Sequence, residues 1–410
     1  PIIFFIGVSF QKQLSPRYKT IREKVGALNT TIVNNLMGIQ IIKSLMTFSF
    51  EKQSVTKMSQ EYQQENINAI SISSAFNPLI RMGVLAGFLG TMLIGSYMAL
   101  NGTLEVGSYS VLVFLTQRFL WPFTTLSTLI DDFERTMAST KRIFNMMRTD
   151  TKIKNPKILT HLDNLKADIS FDDVGFSYYN QKPLFENFNL SISFGSSIGI
   201  VGDTGSGKTT IAKLLLRLYN IDKGKITIGD TPIDMIDIGF LRKRIGIVNQ
   251  SPFLFNSTIR DNIGYGLSNP TIEQIKIAAQ QSQAMEFIET LPRGFDTIVG
   301  ERGQMLSGGQ QQRIAIARTV IRNPDIVIFD EATSSVDNKT EQLIQKALFN
   351  IQKGRTSIII AHRLSTIRYC NYIFLIKKGK IAEEGNHESL LSDKNSSYSS
   401  LWNIQTGKKN

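Results

Sequence analysis

Eight residues constrain this chain more than any other stretch: Gly202, Asp203, Thr204, Gly205, Ser206, Gly207, Lys208 and Thr209, read GDTGSGKT. They fit the pattern G-x-x-x-x-G-K-[ST], which has meaning only between a strand and a helix. Both flanks are there. SIGIV, Ser197 to Val201, reads as a strand; Ile211, Leu214, Leu215 and Leu218 then recur at helical spacing. Glycines let such a loop curl its N–H groups inward, toward phosphate oxygens. The helix that follows, opening through Lys208, Thr209 and Thr210, aims the positive end of its dipole at the same anion. Lys208 adds a cation for the outer phosphates of a nucleotide, and Thr209 offers a hydroxyl to Mg²⁺.

The chain has 410 residues, enough for two or three domains. Its net charge of +12 suits nucleic acid, an anionic membrane surface, or simply a solvated Lys-rich exterior. One cysteine, Cys370, excludes an intrachain disulfide and a Cys-based metal site. The first residue is Pro1, with no signal-peptide pattern after it, and the chain reads as a piece whose beginning lies upstream.

The first 150 residues have a membrane texture. PIIFFIGVSF, Pro1 to Phe10, is too short to span a bilayer and reads as the end of a span, with Lys12, Arg17 and Lys19 at a cytoplasmic exit. Ile21, Val25, Leu28, Ile32, Leu36, Ile39, Ile42 and Met46 then mark one face of a long amphipathic helix. A turn or short cross-helix is expected at Tyr62 to Asn66, within the polar stretch that follows. Met82 to Leu100 is apolar, uncharged and of transmembrane length. Asn101-Gly102 marks a turn, and Asn101 also begins an N-x-T sequon. Val106 to Ile130 is a weaker second span, interrupted by Gln117, Arg118 and Pro122. Arg118 is either a pathway residue or one that reaches the interface. Asp131 to Arg148 continues as a polar helix, 151–166 is a linker, and 167–395 alternates short strands and helices. The polar tail, 396–410, is expected to fray.

Two further motifs carry chemistry. IVIF, Ile326 to Phe329, is a buried strand that delivers Asp330 and Glu331 to its C-terminal end, where open α/β sheets bind ligands. Asp330 suits Mg²⁺, and Glu331 can polarise an attacking water. Leu306, Ser307, Gly308, Gly309 and Gln310 read LSGGQ and open a second helix, a second anion-binding start. Two such starts suggest a nucleotide clamped between two surfaces.

With these motifs in order, the chain resembles an ATP-binding-cassette transporter of the exporter type, a half-transporter with fused membrane and nucleotide-binding domains. Val174 to Tyr178 (VGFSY), Gln250, Val299 to Gly303 (VGERG), Ser334 to Asp337 (SSVD) and Ala361 to Arg363 (AHR) join the match. The resemblance implies an all-α transmembrane domain, present from the end of its fourth span. It implies next an α/β P-loop domain with a mainly parallel sheet, a small antiparallel β subdomain and an α-helical subdomain. It implies ATP and Mg²⁺, with Tyr178 stacking on adenine, Gln250 between Mg²⁺ and the membrane domain, and His362 at the γ-phosphate. Thr209, Gln250 and Asp330 would serve the metal, and Glu331, His362 and Gln250 the hydrolysis. Asp337 would communicate across a dimer, and Glu301 and Arg302 would couple to the membrane helices. SSVD departs from a commoner Ser-Ala-Leu-Asp but keeps the aspartate.

The implied machine is a homodimer or heterodimer in a lipid bilayer, in which one chain's LSGGQ caps the ATP held by the other's P-loop. Nucleic acid is not expected as a partner. A soluble cassette ATPase and an ATP-gated channel are the other readings; the Met82 to Leu100 span opposes the first. The residues leave the transported substrate open.

Overall fold

The structure is a computed structural model, and it describes residues 2–120, 126–149, 153–156, 159–331, 338–361, 363–393 and 395–406. It divides into two compact units, Pro1–Asp150 and Thr151–Asn410.

The first unit is helical: α1 (Ile2–Met37), α2 (Ile39–Ser44), α3 (Phe48–Leu100), α4 (Val106–Leu120) and α5 (Leu126–Met147). The apolar start and the amphipathic stripe as far as Leu36 are one continuous helix that ends at Met37. The expected turn at Tyr62 to Asn66 is overturned, because α3 runs through it unbroken. Those polar residues pair with α1 instead. Lys24 Nζ lies 3.8 Å from Glu61 and 3.6 Å from Glu65. Asn35 Nδ2 donates to Glu51 Oε2 at 3.1 Å. The reversal falls earlier, at Gly38 and at Leu45–Thr47, where Met46 takes a left-handed φ of 54°. The three-and-four spacing continues through Ile39, Ile42 and Met46 and so conceals the break.

Among the described residues, α3 is the one helix long and apolar enough to cross a membrane, and only 6% of its apolar window is buried in the chain. It turns back through Asn101-Gly102 into α4, where the Tyr109 hydroxyl donates to the Met92 carbonyl at 3.3 Å. Gly95 makes room for that ring, since a Cβ there would sit 2.8 Å from it. The second expected span is helical to Leu120, and 121–125 lie outside the described residues. Arg118 is exposed on α4.

The second unit holds ten strands among the described residues: β1 (Ile169–Ser177), β2 (Pro183–Ile192), β3 (Ser197–Gly202), β4 (Lys223–Ile228), β5 (Thr231–Pro232), β6 (Ile245–Val248), β7 (Ile326–Asp330), β8 (Thr356–Ile360), β9 (Tyr372–Lys377) and β10 (Lys380–Gly385). One sheet, β2-β1-β4-β5, is antiparallel. The other, β10-β9-β3-β8-β7-β6, is parallel except for the β10 edge. β7 and β8 are buried at every residue, as strands covered on both faces must be.

Helices α6 (Lys208–Leu215), α7 (Ile238–Arg244), α8 (Ile259–Gly264), α9 (Ile272–Gln281), α10 (Met285–Thr290), α11 (Gly308–Val320), α12 (Asn338–Gln352), α13 (Leu364–Ile367), α14 (His387–Ser392) and α15 (Ser397–Thr406) complete it. Three apolar clusters form its core. One joins the antiparallel sheet to α6 and one face of the parallel sheet. A second lies on the other face of that sheet, under α12 and α15. The third is the centre of a helical group, α8 to α11.

Within the expected linker, Leu165 is buried and its N–H donates to Asp325 Oδ2 at 2.9 Å. One expectation changes here: residues 397–406 of the tail form a helix rather than a frayed end, because Tyr398 is fully buried and anchors α15 to the second cluster.

Candidate nucleotide-binding site

β3 ends in Gly202, whose backbone lies against Ile376 of β9; a Cβ there would meet the Ile376 carbonyl oxygen at 2.0 Å. Gly202, Gly205 and Gly207 have φ of 149°, 82° and 105°, so the loop curls where side chains are rarely tolerated. Asp203 accepts the Ser206 N–H through its carbonyl at 3.1 Å. Asp203, Thr204 and Gly205 are exposed at the tip, and Ser206, Gly207 and Lys208 are buried behind it. Gly207 opens α6 in the left-handed conformation with no side chain capping the helix.

Lys208 turns back over the loop, its Nζ donating to the carbonyls of Gly202 and Asp203, both at 2.9 Å. Burial lowers its pKa, and Glu331, Asp330 and Asp203 push the other way. The Thr209 hydroxyl donates to Asp330 Oδ1 at 3.2 Å, which joins the start of α6 to the end of β7. Asp330 is buried, and burial raises its pKa while the Thr209 bond works against the rise. Glu331 follows with a left-handed φ of 53°, its N–H held by the Ile360 carbonyl at 2.8 Å. Such a conformation costs about 1–3 kcal/mol and is kept where the surroundings determine it. Nothing in the sequence signalled it.

Thr210 meets the Tyr178 hydroxyl at 3.0 Å, which sets that ring beside the start of α6. The ring packs edge-on against Phe176 and Tyr219. Gln250 is exposed just after β6. Its neighbour Asn249 accepts, through its carbonyl, the buried Gln312 amide at 3.3 Å. Gln312 thus ties α11 to the Gln250 loop, a link the sequence reading missed, since nothing in the sequence marks which glutamine of the run Gln310 to Gln312 is buried.

Leu306 is buried, and Ser307 and Gly308 are exposed. Ser307 Oγ accepts the Gln310 N–H while Gln310 Oε1 accepts the Ser307 N–H, a closed capping box. Gly309 abuts Thr340 of α12, where a Cβ would fall 2.1 Å from its methyl. Glu301 and Arg302 are exposed on a tight turn, Arg302 with a φ of 53°. Asp337 and His362 lie outside the described residues.

The residues fit a nucleotide and a divalent cation. Ser206 Oγ is buried with no hydrogen-bond partner among the described residues. Thr209 and Asp330 present oxygens, the donors that hard cations take. A Lys-bearing loop, a hydroxyl and two carboxylates gathered at the C-terminal ends of β3 and β7 define a P-loop domain that hydrolyses nucleoside triphosphates.

A family model described as ABC transporter matches residues 185–334, and one described as ABC transporter transmembrane region matches residues 1–123. The ABC transporter ATP-binding protein YknU of Bacillus subtilis (strain 168) is 37% identical over 408 residues, covering 98% of this chain and 70% of that protein. The ATP-dependent lipid A-core flippase of Legionella pneumophila (strain Paris) is 36% identical over 412 residues, covering 98% of this chain and 68% of that protein. Among solved structures, a bacterial Atm1-family ABC exporter with ATP bound aligns with a TM-score of 0.89 at 30% identity. That alignment covers 98% of this chain and 71% of that one. The chain therefore belongs to the ABC transporter family. It is a membrane protein that binds ATP and couples ATP hydrolysis to export, with a helical transmembrane region followed by a nucleotide-binding domain.

Proposed function

We propose that this chain is one half of a two-cassette, multi-pass exporter of an amphipathic molecule. Its nucleotide-binding domain would lie on the cytoplasmic side, and two ATP molecules would be held between facing cassettes. The observation that carries the pairing is Gly308. It is exposed, its φ is not positive, and a Cβ there would meet nothing within 4 Å. Among the described residues neither conformation nor packing asks for glycine there, and bare backbone at that point suits a surface brought up from outside the chain. The nucleotide on a partner's P-loop is such a surface, whether the partner is a second copy or another half-transporter. The amphipathic cargo is supported by the likeness to lipid A-core flippases and by the exposed apolar faces of α3 and α4.

In this reading Lys208 and the loop from Gly202 to Thr210 hold the phosphates, and Tyr178 stacks on adenine. Thr209, Asp330 and Gln250 would hold Mg²⁺, which neutralises charge on the phosphate oxygens. Glu331 takes the proton of the attacking water, and His362 donates to the γ-phosphate. Leu306 to Gln310 closes over the partner's nucleotide, with Asp337 beside it. Glu301, Arg302 and Gln250 would couple the cassette to membrane helices, and the reversal at Gly38–Thr47 replaces Tyr62 to Asn66 as the candidate coupling turn.

The test is Glu331→Gln in the purified transporter. Steady-state hydrolysis should fall at least about a hundredfold, the range lost with a catalytic base. An ATP-bound dimer should persist on size exclusion. Hydrolysis at the parent rate would remove Glu331 from this role.

A further inference from the structure

The chain that leads into the cassette is tied to the far end of the P-loop helix. Arg217, just past α6, is buried and takes a left-handed φ of 46°, a conformation kept where the surroundings determine it. Its guanidinium donates to the Ile236 carbonyl at 3.0 Å and to the Lys154 carbonyl at 3.3 Å. Arg242 of α7 returns the hold, donating to the carbonyls of Leu216 and Arg217 at 3.0 and 2.6 Å. The end of α6, the start and body of α7, and Lys154 thus form one hydrogen-bonded group.

The following residues continue the attachment along α7. Asn155 Nδ2 donates to Asp237 Oδ2 at 2.7 Å, and Asn155 Oδ1 accepts the Ile238 N–H at 2.9 Å. Asp237 is the N-cap of α7, its other oxygen accepting the Phe240 N–H. Thr160 bridges to Ile236, and its N–H donates to the Met235 carbonyl at 3.0 Å. At the last turn of α7, Arg244 donates to the Asp163 carbonyl at 2.7 Å. Arg244 also lies 3.7 Å from Asp325, the carboxylate that holds the Leu165 N–H. Leu162 and Leu165 pack on the first apolar cluster. A net hydrogen bond favours the docked chain by about fivefold. Three acting together already leave it docked in all but about one molecule in a hundred. A segment that opens freely has few such contacts.

We propose that residues 153–165 are a strap that stays docked on the cassette throughout the ATPase cycle, with Arg217 anchoring its start to the P-loop helix. The phosphate loop lies at one end of α6 and Arg217 just beyond the other, so the helix itself spans the distance. A displacement that nucleotide imposes on α6 then passes along the covalent chain toward α5, with no slack between Ile153 and the cassette.

The experiment uses the purified transporter in lipid vesicles, with Cys370→Ser to remove this chain's one thiol. Asn155→Cys/Asp237→Cys is bridged with a short bis-methanethiosulfonate reagent and the bridge is verified by mass spectrometry. Bridging should be complete both without nucleotide and with Mg²⁺, ATP and vanadate. Steady-state hydrolysis should stay within about twofold of the unbridged protein. Hydrolysis that stops on bridging and returns with dithiothreitol overturns the strap, because the segment must then leave α7 in each cycle. A bridge that forms in one nucleotide state only, or in neither, overturns it as well. Spin labels on Lys154→Cys and Asp163→Cys, both exposed positions, test the anchor. Both spectra should be restricted in the parent in either nucleotide state, and Arg217→Met should free the label at 154 while the label at 163 stays restricted. If Arg217→Met does not fold, Arg217→Lys is read in its place, since it keeps the charge but not the fork that reaches two carbonyls. A label at 154 that is free in the parent overturns the strap, and one that stays restricted in the folded variant overturns Arg217 as its anchor.

Discussion

The cassette contains two glycine-rich helix starts, and they are built in opposite ways. At α6 the capping position is a left-handed Gly207 with no side chain to serve the helix, and Lys208 folds back onto the loop's own carbonyls. No side chain takes an N–H of its first turn, where the Gly207 carbonyl accepts from Thr210 at 3.0 Å. At α11 the capping box of Ser307 and Gln310 already satisfies the helix, and the exposed Gly308 beside it is bare. The first start is complete within one chain. On the proposed reading, the second meets a ligand only as a surface brought up from outside. The glycines record the same division: this chain's own backbone forbids a side chain at position 202, whereas at 308 no described residue stands within 4 Å of a Cβ.

That division breaks most sharply under a matched pair of substitutions. Gly202→Ala drives a Cβ into the Ile376 carbonyl at a φ that alanine rarely adopts. It should destabilise the protein by about 3 kcal/mol or more, at the severe end for a single substitution. Gly308→Ala should leave stability within about 0.5 kcal/mol of the parent, as for surface changes that touch nothing. It should nevertheless lose most of the ATPase. Thermal unfolding and steady-state hydrolysis, measured on both, check the pair. A Gly308→Ala protein that hydrolyses ATP at the parent rate would make its α11 start an ordinary capped helix.

How much of this was legible beforehand follows the same line. GDTGSGKT and IVIFDE could be read because each function sits where local backbone demands and chemistry coincide. The left-handed Glu331 was not legible, since the Ile360 carbonyl that takes its N–H belongs to a strand distant in sequence. The turn expected at Tyr62 to Asn66 failed because polarity was taken for a break in the helix. Glu61 and Glu65 are polar because they face Lys24 on the neighbouring helix. The reversal was hidden because isoleucines keep helical spacing across Gly38. The tail was misjudged by composition: one buried Tyr398 outweighs its serines and asparagines.

A smaller effect separates the cap of α11 from its ligand. Ser307→Ala removes the acceptor for the Gln310 N–H and should cost about 1 kcal/mol. Ser307→Asp retains a capping acceptor and should unfold like the parent, yet it sets a carboxylate where a partner's phosphates would approach. Its ATPase should be lost with stability intact. Equal activity in the parent and Ser307→Asp would show that no anion visits this helix start.

The smallest effect lies at the α6 end and depends on pH. Burial holds the Asp330 carboxyl above its ordinary range, with the Thr209 hydroxyl offsetting part of the rise. A carboxyl with a higher pKa folded than unfolded supports the fold fully below the unfolded value, and that support is lost as pH rises through the folded value. At neutral pH the ligand-free protein therefore carries a carboxylate that its surroundings disfavour. Asp330→Asn should raise the melting temperature of the ligand-free protein slightly at pH 7. The gain should shrink as pH falls toward the ordinary carboxylate value of about 4. With Mg²⁺ and ATP present the order should reverse, because binding to the folded state stabilises only a protein that can hold the pair. The cost of Ser307→Ala should not change with pH over the same range, since its cap contains no titrating group. A gain in Asp330→Asn that is flat with pH would mean that the P-loop end, like the α11 start, is satisfied without its ligand.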